Sequence, residues 1–159
     1  MIDAAVRDVM QADPITVAPT MRLAELVDLF VRERLAGVPV IDPERRVLGI
    51  VTEGDIILQE VEGDFELPHF VPFLDGAIFL QSTDRWDSQM RKAFAATVDD
   101  LMTRDVRTVA PTDSIHEAAK RMARHHVSRL PVVEDGRLVG LISRSDIVRA
   151  LARYEFRAG

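Results

Sequence analysis

Thr16-Val17-Ala18-Pro19-Thr20 returns unchanged as Thr108-Val109-Ala110-Pro111-Thr112, 92 residues further along a chain of 159. Working outward from that pair, the same offset matches Val6-Arg7-Asp8-Val9-Met10 with Val98-Asp99-Asp100-Leu101-Met102, and Pro39-Val40 with Pro131-Val132. One residue is then lost between Asp42-Pro43-Glu44-Arg45-Arg46 and Glu134-Asp135-Gly136-Arg137, after which Gly49 through Ile56 matches Gly140 through Ile147 at an offset of 91. A length change inside a turn is what a hairpin tolerates. The chain is a duplicated unit, and the duplication decides how everything else is read.

Each copy alternates helix and strand signals. After Pro19 or Pro111 comes an amphipathic helix whose apolar face is Leu23, Leu26, Val27 and Phe30 in copy one and Ile115, Ala118, Ala119 and Met122 in copy two, at i, i+3, i+4, i+7 spacing. Ser114 followed by Glu117 has the pattern of a capping box. Two β-rich runs joined by a polar turn follow: Val38 to Ile41 with Val47 to Val51, and Leu130 to Val133 with Leu138 to Ile142. A second helix is expected from near Asp55 and near Asp146. One such unit is too small to bury its own sheet face, so the two copies are expected to pack sheet to sheet across a pseudo-twofold axis, an α+β fold.

Composition narrows the function classes. Lys plus Arg number 20 and Asp plus Glu 26, for a net charge of −6, which argues against a general nucleic-acid binder. The charge is uneven: 6 basic against 10 acidic residues over 1–59, 3 against 7 over 60–97, and 11 against 9 over 98–159. Absence of cysteine excludes disulfides, thiolate zinc sites and a cysteine nucleophile. No apolar run approaches the roughly 20 residues that span a bilayer, so an intracellular, cytoplasmic protein without membrane insertion is expected. Residues 60–97 lie outside the repeat yet hold Phe65, Phe70, Phe73, Phe79, Trp86 and Phe94, six of the nine aromatic residues. Such a connector is expected to be partly helical around Trp86, Met90, Ala93 and Phe94, and to serve as extra core or as a contact surface.

The residues with the most chemistry are Thr52 with Asp55 and Ser143 with Asp146, which recur between the last strand and the second helix of each copy. A hydroxyl and backbone N–H groups at a helix start suit a phosphate, and a carboxylate accepting two hydrogen bonds suits a ribose diol. The same residue types are also the preferred helix caps, so local sequence leaves both roles open. Arg129 and Arg144 are basic where copy one has Gly37 and Glu53, and Arg107 stands where copy one has Ile15. Cationic help for a phosphate would therefore come from copy two, even for a ligand held by copy one. His125 and His126 point about 100 degrees apart on a helix and do not make a metal face, so no metal site is expected. No P-loop, dinucleotide-binding glycine fingerprint, nucleophile elbow or zinc-protease motif occurs, and no catalytic residues are assigned.

The order Met, Thr-Val-x-Pro, amphipathic helix, hydrophobic-Pro-Val, Gly-hydrophobic-hydrophobic-Thr/Ser-x-x-Asp resembles the CBS domain, and two copies resemble a CBS pair, or Bateman module, of the stand-alone kind. The resemblance implies a first repeat over 1–59, the connector over 60–97 and a second repeat over 98–159. It implies that Asp55 and Asp146 hold ribose, that Thr52, Ser143, Arg129 and Arg144 lie at phosphate, and that an adenine slot is formed by Ile15, Thr16 and Val38 in one copy and Arg107, Thr108 and Leu130 in the other. The function it implies is regulatory, energy-sensing binding of an adenosine compound (AMP, ADP, ATP, NAD or S-adenosylmethionine) with no obligatory cofactor and no enzymatic activity, read out by an unidentified regulated protein, in a homodimer. The alternative is a protein-interaction adaptor with a vestigial nucleotide site that uses the aromatic connector.

Overall fold

The structure, a computed structural model, describes residues 3–62 and 96–155. The aromatic connector from Phe65 to Phe94, with its expected helix at Trp86, lies outside the described residues. Copy one runs through a short 3-10 turn (Val6–Asp8), β1 (Gln11–Ala12), α1 (Leu23–Glu33), β2 (Gly37–Ile41), β3 (Val47–Thr52) and α2 (Glu53–Glu62). Copy two runs through α3 (Val98–Leu101), α4 (Ile115–His125), β4 (Arg129–Glu134), β5 (Arg137–Ser143) and α5 (Arg144–Glu155). The mixed α/β architecture of two matching repeats is the one expected.

The expected helical faces are the faces that are buried. Leu23, Leu26 and Phe30 of α1 and Ile115, Ala118 and Met122 of α4 enter two separate cores, with Val27 and Ala119 packed beside them. Burying each large side chain stabilises by about 1.5–3 kcal/mol relative to exposure. Ser114 caps α4, its hydroxyl accepting from the Glu117 N–H at 3.1 Å. Both helices end on a left-handed residue that is not glycine, Arg34 and His126, each at φ 53°. The next N–H then closes the end, Leu35 to the Phe30 carbonyl at 2.9 Å and Val127 to the Met122 carbonyl at 3.0 Å.

The hairpins pair antiparallel, β2 with β3 and β4 with β5, each with one bulge, at Val40/Ile41 and at Val132/Val133. Asp135 and Gly136 both have positive φ and form the two-residue turn that β4 and β5 require, whereas the longer loop of copy one places only Arg45 there. The recurring Thr-Val-x-Pro segment lies beside the strand containing Pro-Val. Val17 N–H donates to the Pro39 carbonyl and Val109 N–H to the Pro131 carbonyl, both at 3.1 Å. Those bridges need no N–H from the proline, which is why a proline is tolerated at a buried strand position.

The copies are not self-contained. Val6 N–H donates to the Asp113 carbonyl and Val98 N–H to the Met21 carbonyl, both at 2.8 Å. Likewise Ile115 N–H reaches the Ala4 carbonyl at 3.0 Å and Leu23 N–H the Ala96 carbonyl at 2.9 Å. β1 pairs with β5, and Thr103 pairs with Ile50 of β3. The opening segment of each copy is thus exchanged: Ala4 and Val6 sit in the core of copy two, and Val98, Leu101 and Met102 in the core of copy one. Glycine makes the close approach possible. A Cβ on Gly49 would lie 2.7 Å from Met102 Sδ and 2.9 Å from the Thr103 carbonyl, and one on Gly140 would run into Met10 Sδ. No helix of the described residues is long and apolar enough to cross a membrane.

Candidate ligand-binding cleft

The second helices begin earlier than the sequence suggests, at Glu53 and Arg144 rather than near Asp55 and Asp146. The reason is the side chain that caps them. Thr52 and Ser143 occupy the cap position, and the aspartate three residues on folds back over it. Asp55 Oδ2 accepts from the Thr52 N–H at 2.7 Å and from its hydroxyl at 3.1 Å. Asp146 Oδ2 accepts from the Ser143 N–H at 2.8 Å and from its hydroxyl at 2.7 Å. The aspartate is therefore a clasp across the helix start, and only its second oxygen, Oδ1, is left for another partner.

At that second oxygen the copies part. Asp146 Oδ1 accepts from Arg149 Nη2 at 2.7 Å. Burial pushes the Asp146 carboxyl up, but the Ser143 hydroxyl and N–H and the Arg149 guanidinium outweigh it and hold the group below its ordinary value. In copy one the residue at the place of Arg149 is Leu58. Among the described residues no side chain donates to Asp55 Oδ1.

Asp55 borders a cleft of about 350 Å³ between the copies, at the small end of the range for ligand pockets, about 300–1,000 Å³. Copy one contributes Ala36, Ile50 and the helix start from Thr52 to Asp55. Copy two contributes Thr103, the segment from Asp105 to Arg107, and the strand entry from His126 to Arg129. The left-handed cap sets His126 on the cleft wall just before the strand that carries Arg129. Arg107 is ion-paired with Asp105 at 3.3 Å. Arg129 is half-buried, donates from Nη1 to the Ser128 hydroxyl at 3.0 Å, and has no carboxylate partner among the described residues. A partly desolvated guanidinium without a counter-ion is costly in isolation and becomes favourable when an anion arrives.

Arg129 reaches this cleft because its symmetry counterpart has no side chain. A Cβ on Gly37 would lie 3.0 Å from Arg129 Cδ and 3.3 Å from Thr52 Cγ2, so the guanidinium stem occupies the space a residue at 37 would fill. The Glu53 N–H is already donated to the Ala36 carbonyl at 3.1 Å, so the first backbone donor of α2 is spent on the fold.

Of the residues named from sequence, Thr52, Asp55, Arg107 and Arg129 come together around this cleft. Ser143, Asp146, Arg144, Ile15, Thr16, Thr108, Val38 and Leu130 do not border it. Val38 and Leu130 are fully buried in the two cores. Asp105 and Ser128 border the cleft and were not singled out. The signal for Ser128 was its place immediately before Arg129. Among the described residues no group of three or more histidines and carboxylates is placed to hold a metal ion.

Comparison with known proteins is consistent with this architecture. The CBS domain model matches residues 6–61 and 98–153. An uncharacterised protein of Methanocaldococcus jannaschii is 31% identical over 152 residues, covering 92% of this chain and 90% of that protein. Several further relatives are longer, and the chain spans about half of their length. The crystal structure of CBSX2 of Arabidopsis thaliana in complex with AMP superimposes with a TM-score of 0.72 at 24% identity, covering 95% of this chain and 98% of that one. The CBS domain pair of protein MJ0100, in complex with 5′-methylthioadenosine and S-adenosyl-L-methionine, superimposes with a TM-score of 0.70 at 21% identity over 94% of this chain and 97% of that one.

Proposed function

The chain belongs to the CBS domain family, and from that premise we propose that it is a regulatory module that binds an adenosine-containing nucleotide in the cleft between its repeats. The observation that carries the reading is the composite wall. A carboxylate with one oxygen to spare, Asp55, belongs to copy one, and a half-buried cation without a counter-ion among the described residues, Arg129, belongs to copy two. A ribose hydroxyl donates to Asp55 Oδ1, and a phosphate is held by Arg129 with Thr52, Ser128 and His126 at its edge. The ligands named for the two solved relatives, AMP in one and S-adenosyl-L-methionine with 5′-methylthioadenosine in the other, share the adenosine core this wall suits.

The Thr52 hydroxyl in the cleft is tied to Asp55 as part of the helix start, and the proposed role is binding without chemistry. A ligand that touches both copies favours the packing in which the two walls are at the right separation, and a partner protein reads the change in population. Calorimetric titration with AMP, ADP, ATP, NAD and S-adenosylmethionine tests the proposal. Saturable binding of at least one is the expected result, and absence of binding by all five overturns it.

A further inference from the structure

We infer that each chain holds one adenosine ligand, at Asp55, and that the matching position in copy two stays empty. The inference rests on the nucleotide reading above but goes beyond it, because duplication alone would give two equivalent sites. Three observations break the equivalence. Asp146 Oδ1, the oxygen a ribose would need, is held by Arg149 at 2.7 Å, whereas copy one has Leu58 at that place. Next, the cations that border the Asp55 cleft, Arg107 and Arg129, have Ile15 and Gly37 as counterparts, neither of which can bind a phosphate. Finally, the one side chain at the 37/129 position, that of Arg129, lies over Gly37 of copy one.

Magnitudes decide whether this matters. Arg149 is 65% exposed, so its ion pair alone weakens a competing ribose contact by only a few-fold. Loss of a charge-assisted hydrogen bond to phosphate weakens binding by about tenfold or more. The other cations do not replace it: Arg149 is engaged with Asp146, and Arg144 and Arg34, the counterpart of His126, are exposed. Together the differences separate the two positions by on the order of 100-fold, so ligand that fills the first leaves the second empty.

The test is calorimetric titration of the full chain with AMP, alongside Asp55→Asn and Arg129→Met, each checked for native circular dichroism. The expected result is one equivalent per chain, with the whole isotherm weakened about 10- to 100-fold by Asp55→Asn and about tenfold by Arg129→Met. Two equivalents per chain, or an Asp55→Asn protein that keeps one site at full affinity, overturns the one-site inference and leaves the nucleotide reading standing. Failure of all five adenosine compounds to bind overturns the nucleotide reading itself.

Discussion

Gly37 and Arg129 hold the same position in their repeats and lie against each other, and no pair of positions shows better how the two copies differ. At the cleft, among the described residues, copy one presents an aspartate with an oxygen to spare and no cation; copy two presents the cations, and its own aspartate is already tied to Arg149. The scaffold beneath is the same in both. Each core takes in the other copy's opening segment, each cap is a Thr or Ser clasped by an aspartate, and each methionine, Met10 or Met102, rests over a glycine. The lesson is that positions where an opening segment enters the other copy's core are held alike by geometry, while side chains facing the cleft are free to diverge. On the one-site proposal, divergence there turns two equal half-sites into one composite site.

The sameness of the scaffold is the part that should break hardest. Gly49→Val and Gly140→Val both drive a side chain into a methionine and a neighbouring carbonyl. Each is expected to destabilise by about 1–3 kcal/mol, the usual cost of overpacking, and thermal denaturation should show similar losses for the two. A large loss for one and none for the other would mean that the exchanged segments are not equivalent.

Next in size is the difference in cations. Arg129→Met keeps the stem beside Gly37 and removes the charge, so AMP affinity should fall about tenfold with little change in thermal stability. The wild-type affinity should also weaken with added salt more steeply than that of the variant, which titrations at two ionic strengths would show.

The smallest effect concerns the tied aspartate. The Asp146 carboxyl sits below its ordinary value, so its bonds stabilise the fold at neutral pH, and that contribution is lost as pH falls from the unfolded value of 3.8 through the lower folded one. Asp146→Asn should therefore melt further below wild type at pH 7 than at about pH 3. Thermal melts at the two pH values check this, and a constant gap at both would remove the charge from the explanation.

How much of this was legible in the chain follows from what a repeat can and cannot encode. The α1 and α4 faces and both hairpins were readable, because Leu23, Leu26 and Phe30 keep helical spacing and the Asp135-Gly136 turn fixes its strands. The exchange of the opening segments was not. Residues 6–10 and 98–102 resemble each other, so either could fill either core, and only three-dimensional pairing such as Val6 to Asp113 decides. The helix start was misplaced by two residues because an aspartate that reaches back to the cap looks, in sequence, like the cap itself. Thr52, Asp55 and Arg129, which border one cleft, are marked in the sequence by the recurring motif and the Gly37 mismatch. Asp105 was missed because nothing in a strand-flanking loop marks which side it faces, and the Arg149 tie because it lies beyond the motif.

The central claim is that the ligand spans the copies, its ribose on one and its phosphate on the other. A crystal structure of the full chain with AMP measures that directly. The account predicts one nucleotide per chain, with a ribose hydroxyl within hydrogen-bond distance of Asp55 and the phosphate on Arg129. A nucleotide seated at Ser143 and Asp146, or one whose ribose and phosphate are both held by a single copy, would contradict it.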